Sequence, residues 1–199
     1  MDIGSPTLPG VEAMGRLRDG TLVHVRGALP SDRLHVAEFL RHVTKDSLEL
    51  RFLGTVIPDI AVSEILTPYA SEDQVSLLLE IPDPTPAQVI AHGEYIRYRS
   101  DPTRAEVAFL VADDRQGQGA ATLLLQHLAR RARAAGIWQF DAITVARNRP
   151  MLDVFLGIGF PCSVAVRDGL GHVSLDISHE PATGIVPLGT RGTHLRLRT

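Results

Sequence analysis

Six residues, Gln116-Gly117-Gln118-Gly119-Ala120-Ala121, join an apolar run ending at Ala112 to a helical pattern that opens at Gly119. Their small side chains leave the backbone open to a ligand, and the first N–H groups of a helix lack partners and lie at its positive end. The chemistry such a turn can do is to hold an anion. No Gly-Lys-Ser/Thr follows and G-x-G-x-x-G is absent, so neither the nucleotide P-loop nor the dinucleotide fingerprint is met. A tight strand-to-helix connection without a ligand uses the same residues, and both readings stand at this point. Other reactive side chains carry less. The single cysteine, Cys162, has no His or acidic residue at a telling spacing and reads as packing rather than as a nucleophile. His24, His35, His42 and His92 show no paired ligand spacing, so no metal is expected. Arg130, Arg131 and Arg133 fall in the last turns of the helix, where they complement its negative end.

The elements that must carry this turn follow from periodicity. Alternation over Thr21–Arg26 after Asp19-Gly20 predicts a strand, and Pro30-Ser31-Asp32 starts a helix whose inward face is read as Leu34, Val36, Ala37, Leu40 and Val43. A weaker helical pattern covers Ile60–Leu66, and the apolar run Val75–Ile81 reads as a buried strand. Ala87–Arg99 and Arg104–Ala112 are joined by Ser100-Asp101-Pro102-Thr103, which predicts an antiparallel hairpin. The strongest helix carries Ala121, Leu124, Leu125, Leu128, Ala132 and Ala135 and ends at Gly136. A strand over Phe140–Val145, a short helix over Met151–Leu156 behind Asn148, and a hairpin of Cys162–Val166 with His172–Ile177 complete a mixed α/β order.

The chain has 199 residues, 44% of them hydrophobic, and a formal net charge of −3. That length and composition suit one core domain, read as residues 19–178, with a flexible lead-in over 1–18 and a tail or surface wrap over 179–199. The charge balance lacks the basic excess that nucleic acid or an anionic membrane surface would call for, so neither partner is expected. No apolar run is long enough for a membrane span and no leader pattern is read; a reducing, cytoplasmic setting is the expectation.

Three spaced motifs give the turn a family context. Gln116-x-x-Gly119-x-Ala121 resembles the Q/R-x-x-G-x-G/A acyl-CoA loop of the GNAT superfamily of N-acyltransferases. Asn148 followed by Met151, Val154, Phe155 and Gly159-Phe160 resembles that superfamily's N-x-x-A-x-x-L-Y-x-x-x-G-F segment, and Ala105–Val111 resembles the strand before the loop. The likeness spans about residues 19 to 177, and the order of elements agrees. The opening Asp19-Gly20-Thr21-x-Val23-x-Val25-Arg26, with Pro30, Asp32, Thr44, Ser47 and Arg51-Phe52, is similar to bacterial protein-lysine acetyltransferase domains, although Gly27 stands where those domains carry proline.

The resemblance implies a mixed, mostly antiparallel sheet flanked by helices, its fourth and fifth strands splayed to admit acetyl-CoA. It implies that Val111 and Ala112 pair with the pantetheine arm while Gln116, Gly117, Gln118, Gly119, Ala120 and Ala121 hold the pyrophosphate. Asn148 would contact the arm or cap its helix. Glu106 would act as general base, with Glu94 and Glu80 as runners-up, since a lysine amine of pKa about 10.4 must lose a proton before attack. Phe155 occupies the place of a tyrosine that protonates the leaving thiolate in many relatives, with Tyr95 and Tyr98 as substitutes. The acceptor is expected to be a protein lysine; a small-molecule amine and a catalytically silent acyl-CoA-binding module are the alternatives, and a homodimer is left open.

Overall fold

The computed structural model describes residues 13–54, 61, 65, 73–83 and 85–181. Two strands, β1 (Ala13–Arg16) and β2 (Leu22–Gly27), precede helices α1 (Arg33–Arg41) and α2 (Lys45–Phe52). Strands β3 (Gln74–Ile81), β4 (Gln88–Arg97) and β5 (Arg104–Val111) follow, then α3 (Ala120–Ala134), β6 (Gln139–Val145), α4 (Arg149–Gly157), β7 (Cys162–Arg167) and β8 (Leu170–Asp176). The strands form one sheet in the order β1-β2-β3-β4-β5-β6-β8-β7, antiparallel at every junction except the parallel β5–β6 pair. This is the mixed, mostly antiparallel, helix-flanked sheet that the motif resemblance implies.

Both faces of the central strands are covered, which is why Val75–Ile81 reads as an unbroken apolar run rather than an alternation. Val75, Leu77 and Leu79 face the larger core under α3, while Leu78 faces a second core with Val36, Phe39, Leu40, Val43 and Leu48. The buried stripe of α1 is thus Val36, Phe39, Leu40 and Val43, at the three-and-four spacing of one helix face. Leu34, expected inside, is 82% exposed. Helix α3 buries Leu124, Leu125, Leu128, Ala129 and Ala132 and ends as expected, with Gly136 at φ +78°. The β7–β8 hairpin turns on Asp168 and Gly169, both at positive φ as a two-residue turn of that hand requires.

The sheet starts earlier than the sequence reading placed it. Ala13–Arg16, inside the stretch read as lead-in, pairs with β2, and Leu17 is buried. A four-residue strand containing a glycine gives almost no alternation signal; what holds it is long-range, for a Cβ on Gly15 would come within 2.9 Å of Leu123 Cδ2 on α3. Most of the helix read over 60–66 lies outside the described residues; Ala61 and Ile65 are helical and buried. The tail is described only to residue 181, where Arg133 forms an ion pair with Glu180.

Candidate active site

Strands β5 and β6 pair only from Arg104–Glu106 against Gln139–Asp141, and beyond that point they diverge. The gap opens into a cavity of about 370 Å³ lined by Val107–Val111 of β5, Ala142–Thr144 of β6, the turn before α3, and parts of α2 and α4. On β5 the Ala112 N–H donates to Ile90 O at 3.0 Å, so by the alternation of a strand the odd-numbered amides point the other way; past the last β5–β6 pair, at Glu106 and Asp141, those of Phe109 and Val111 face the gap. Among the described residues the cleft therefore has one wall of strand backbone whose Phe109 and Val111 N–H groups meet no neighbouring strand, an edge that an extended amide-bearing chain can join. Phe155, fully buried and 6.1 Å from Phe109 between ring centroids, forms part of the wall near α4.

At the end of this wall the backbone makes two left-handed steps, Gly117 at φ +75° and Gly119 at φ +95°, before α3 begins. Gly119 is the N-cap and no side chain caps the helix start, so its first amides face the cavity at the positive helix end. The Gln116 amide spans 3.4 Å contacts to Val111 O, Ser47 Oγ and Asp113 Oδ1, tying the turn back to β5 and α2. Two arginines that the sequence reading passed over also line the cavity. The Arg18 backbone N–H donates to Gln118 O at 3.0 Å and its Nη1 to Gly117 O at 3.2 Å; Arg115 Nε lies 3.7 Å from Asp114 Oδ2. Arg115 was readable as a cation beside an anion-binding turn. Arg18 was not, because only the β1–β2 connection brings it there.

The cavity thus brings together Val111, Gln116, Gly117, Gly119, Ala120, Ala121, Asn148 and Phe155. Asn148 combines the two roles considered for it, since its Oδ1 accepts from Met151 N at 3.2 Å as the N-cap of α4 while the residue lines the cleft. Gln118 and Ala112 lie outside the lining; Ala112 is buried in the second core and its amide is committed to Ile90.

The three carboxylates weighed as bases occupy different environments. Glu80 accepts from Arg26 Nε at 2.8 Å and meets His24 Nδ1 at 3.1 Å, in a network where Arg26 also grips Asp32 with two bonds. Those bonds, with the Leu29 amide, hold the Asp32 carboxyl below its ordinary value although burial opposes them. Glu94 is buried against Arg51 of α2. Glu106 is exposed, has no ion pair or side-chain hydrogen bond among the described residues, and sits where β5 and β6 are still paired, opposite Asp141. It is not itself in the cavity lining, but Val107 and Ala108, the next residues, are. Asp141 beside it is held by Arg104 at 2.7 Å and by Gln139. Tyr98 lies in the same field, its hydroxyl pKa raised by burial first and then by Asp141 and Glu106. Tyr95 is packed in the main core against Phe140, and neither tyrosine lines the cavity. Cys162 packs against the main core, with burial pushing its thiol up to about 11.

An uncapped helix start with two nearby arginines, at the end of a strip of free strand amides, fits a long amide-bearing chain that ends in phosphates. The comparisons with known proteins point the same way. Residues 59–160, just over half of the chain, match the acetyltransferase (GNAT) family. Acetyltransferase Pat of Mycolicibacterium smegmatis is 28% identical over 166 residues, covering 83% of this chain and 48% of that protein, so the chain spans about half the length of this relative. The crystal structure of the GNAT domain of S. lividans PAT superposes with a TM-score of 0.74 at 30% identity, covering 85% of this chain and 98% of that one. A Salmonella typhimurium structure with its cofactor acetyl-CoA shares the fold at a TM-score of 0.60 and 18% identity, over 82% of this chain and 98% of that one.

Proposed function

The chain belongs to the GNAT acetyltransferase family, whose acyl donor is acetyl-CoA, and on that premise we propose that it transfers acetyl to a protein lysine by direct attack, with Glu106 as base. The observation that carries the proposal is the divergence of β5 from β6 just past Glu106, which leaves an exposed carboxylate next to Val107, the first β5 residue lining a cleft that reaches the uncapped start of α3. Preference for a protein lysine over a small amine draws on the resemblance of residues 19–52 to bacterial protein-lysine acetyltransferase domains.

The thioester supplies an activated acetyl group; the chain supplies position and proton transfer. The first amides of α3, with Arg18 and Arg115, hold the phosphates, and the β5 amides pair with the arm. Glu106 takes the proton of the incoming ammonium, directly or through water, so that a neutral amine attacks the carbonyl carbon. The Val111 N–H, turned into the gap, donates to the carbonyl oxygen as it gains charge. Phe155 donates no proton, and a thiol of pKa about 8.5 leaves as thiolate near neutral pH with only a modest penalty. Glu80 and Glu94 do not compete for the base role, because each is bonded to an arginine.

A second reading, a binder that never turns over, draws on Phe155 in the tyrosine position. The test is mass-spectrometric counting of new acetyl-lysine sites in a deacetylated lysate given acetyl-CoA and this protein, with Glu106→Gln in parallel. Sites that appear with the wild type and fade with the variant are expected. Sites made equally by both would remove Glu106 as base, and none at all, with no free CoA released to any amine, would favour the silent binder.

A further inference from the structure

Asp113 lies in the 3-10 turn between β5 and the Gln116–Ala121 turn, and its carboxylate bonds mainly the start of α2. Its Oδ2 accepts from Thr44 N at 2.7 Å, and its Oδ1 accepts from Ser47 Oγ at 2.8 Å and Thr44 Oγ1 at 3.2 Å. Its own N–H donates to His42 O at 2.9 Å. Thr44 is the N-cap of α2 and accepts from Ser47 N, so Asp113 adds a second, charged cap from 69 residues away at the positive end of the helix. Gln116 Nε2 reaches both Ser47 and Asp113.

What α2 does makes this contact more than a brace. It forms one wall of the cleft through Ser47, Leu50 and Arg51, and its last turn is pinned by Arg51 to Glu94, the residue paired across the strands with Ala108. Ala108 and Glu106 share a face of β5, the face on which α2 packs and from which the acceptor would approach. The backbone that closes on the phosphates and the helix that walls the acceptor side therefore meet at one carboxylate.

We infer that Asp113 is a positioning residue that couples donor binding to acceptor binding: ligand held at the Gln116–Ala121 turn fixes Asp113, and Asp113 fixes the start of α2. The inference rests on reading the cleft as the acyl-CoA site. A purely structural cap would stabilise α2 equally with and without ligand, whereas a coupling element makes its order depend on the ligand.

Hydrogen exchange of the α2 amides, with and without CoA, separates the two, with calorimetry of CoA on the same samples. In the wild type, CoA is expected to slow exchange across residues 45–52 by about tenfold, the scale of coupling between two sites. In Asp113→Ala, CoA binding persists but the slowing is lost, and Asp113→Asn, which keeps one acceptor oxygen, restores part of it. If Asp113→Ala does not fold, Ser47→Ala removes one donor while leaving the carboxylate, and a reduced slowing is expected there. Slowing that survives in Asp113→Ala would show that the ligand acts on α2 by direct contact and would overturn the inference. CoA binding without slowing in the wild type would overturn the coupling alone, and no binding at all would overturn the cleft reading with it.

Discussion

The two sides of the cleft are built from different materials. The side on which we place the donor is mostly backbone, with the inward amides of β5, two glycines at positive φ and an uncapped helix start, and only Arg18 and Arg115 add charge there. The side on which we place the acceptor depends on charged side chains, where Glu94 is locked by Arg51 and Glu106 has no ion pair among the described residues. Backbone donors are fixed by the path of the chain and tolerate most changes of side chain. A carboxylate on a β-strand acquires its role from whichever cation lies beside it, so neighbours of like type serve opposite purposes.

The largest expected effect separates these two glutamates. Glu94→Ala leaves the partly buried Arg51 guanidinium without this carboxylate, and its chemical-denaturation midpoint should correspond to about 3 kcal/mol less stability, near the lower end for removing one member of a buried pair. Glu106→Gln, on an exposed position, should stay within about 0.5 kcal/mol of the wild type in the same experiment. Equal losses would erase the distinction between locked and free carboxylates.

The donor side breaks through its backbone. At Gly119, φ is +95° and the nearest atom to an added Cβ, Arg18 Cγ, is at an ordinary 3.6 Å, so a side chain has room but the wrong backbone conformation. Gly119→Val should weaken CoA binding in calorimetry by about thirtyfold, corresponding to about 2 kcal/mol of local strain. Unchanged affinity would mean that the turn does not hold the phosphates.

How legible each side was in the sequence follows from the same contrast. The turn at 116–121 and the period of α3 are local signals, so small residues and a three-and-four spacing sufficed to place a glycine-bearing turn at a helix start. The fate of each carboxylate was not local: Arg51 lies 43 residues from Glu94, and Arg26 lies 54 from Glu80. Nothing in one sequence says which arginine meets which acid. Arg18 was missed because β1 is four residues long and held by contacts with α3 and the Gln118 backbone, while Leu34 was placed inside α1 by a spacing that Phe39 satisfies better. Glu106 is singled out by the motif resemblance and not by composition, and its role as base is the proposal to be tested.

A smaller effect concerns acid. His92, on β4 and fully buried, shares its Nε2 with Ser76 Oγ at 3.0 Å, and burial, then the nearby Arg51 cation, lowers its pKa to about 3. The unfolded chain therefore binds a proton below about pH 6.5 that the native state refuses until about pH 3; the stability is complete above that range and falls as pH drops through it. Urea titrations should give about 1 kcal/mol less stability at about pH 5.5 than at about pH 7.5 from this group, and His92→Gln should remove that difference. A variant with the same acid loss would assign it elsewhere.

The central claim is that one free carboxylate performs the proton transfer while the backbone holds the donor, and it is tested most directly by two measurements on Glu106→Gln: CoA affinity by calorimetry, and the rate of thiol release from saturating acetyl-CoA with a lysine acceptor. The account predicts affinity within about twofold of the wild type and a rate lower by about a hundredfold, the usual worth of a general base. A rate that stays at the wild-type value, with the affinity unchanged, would contradict it.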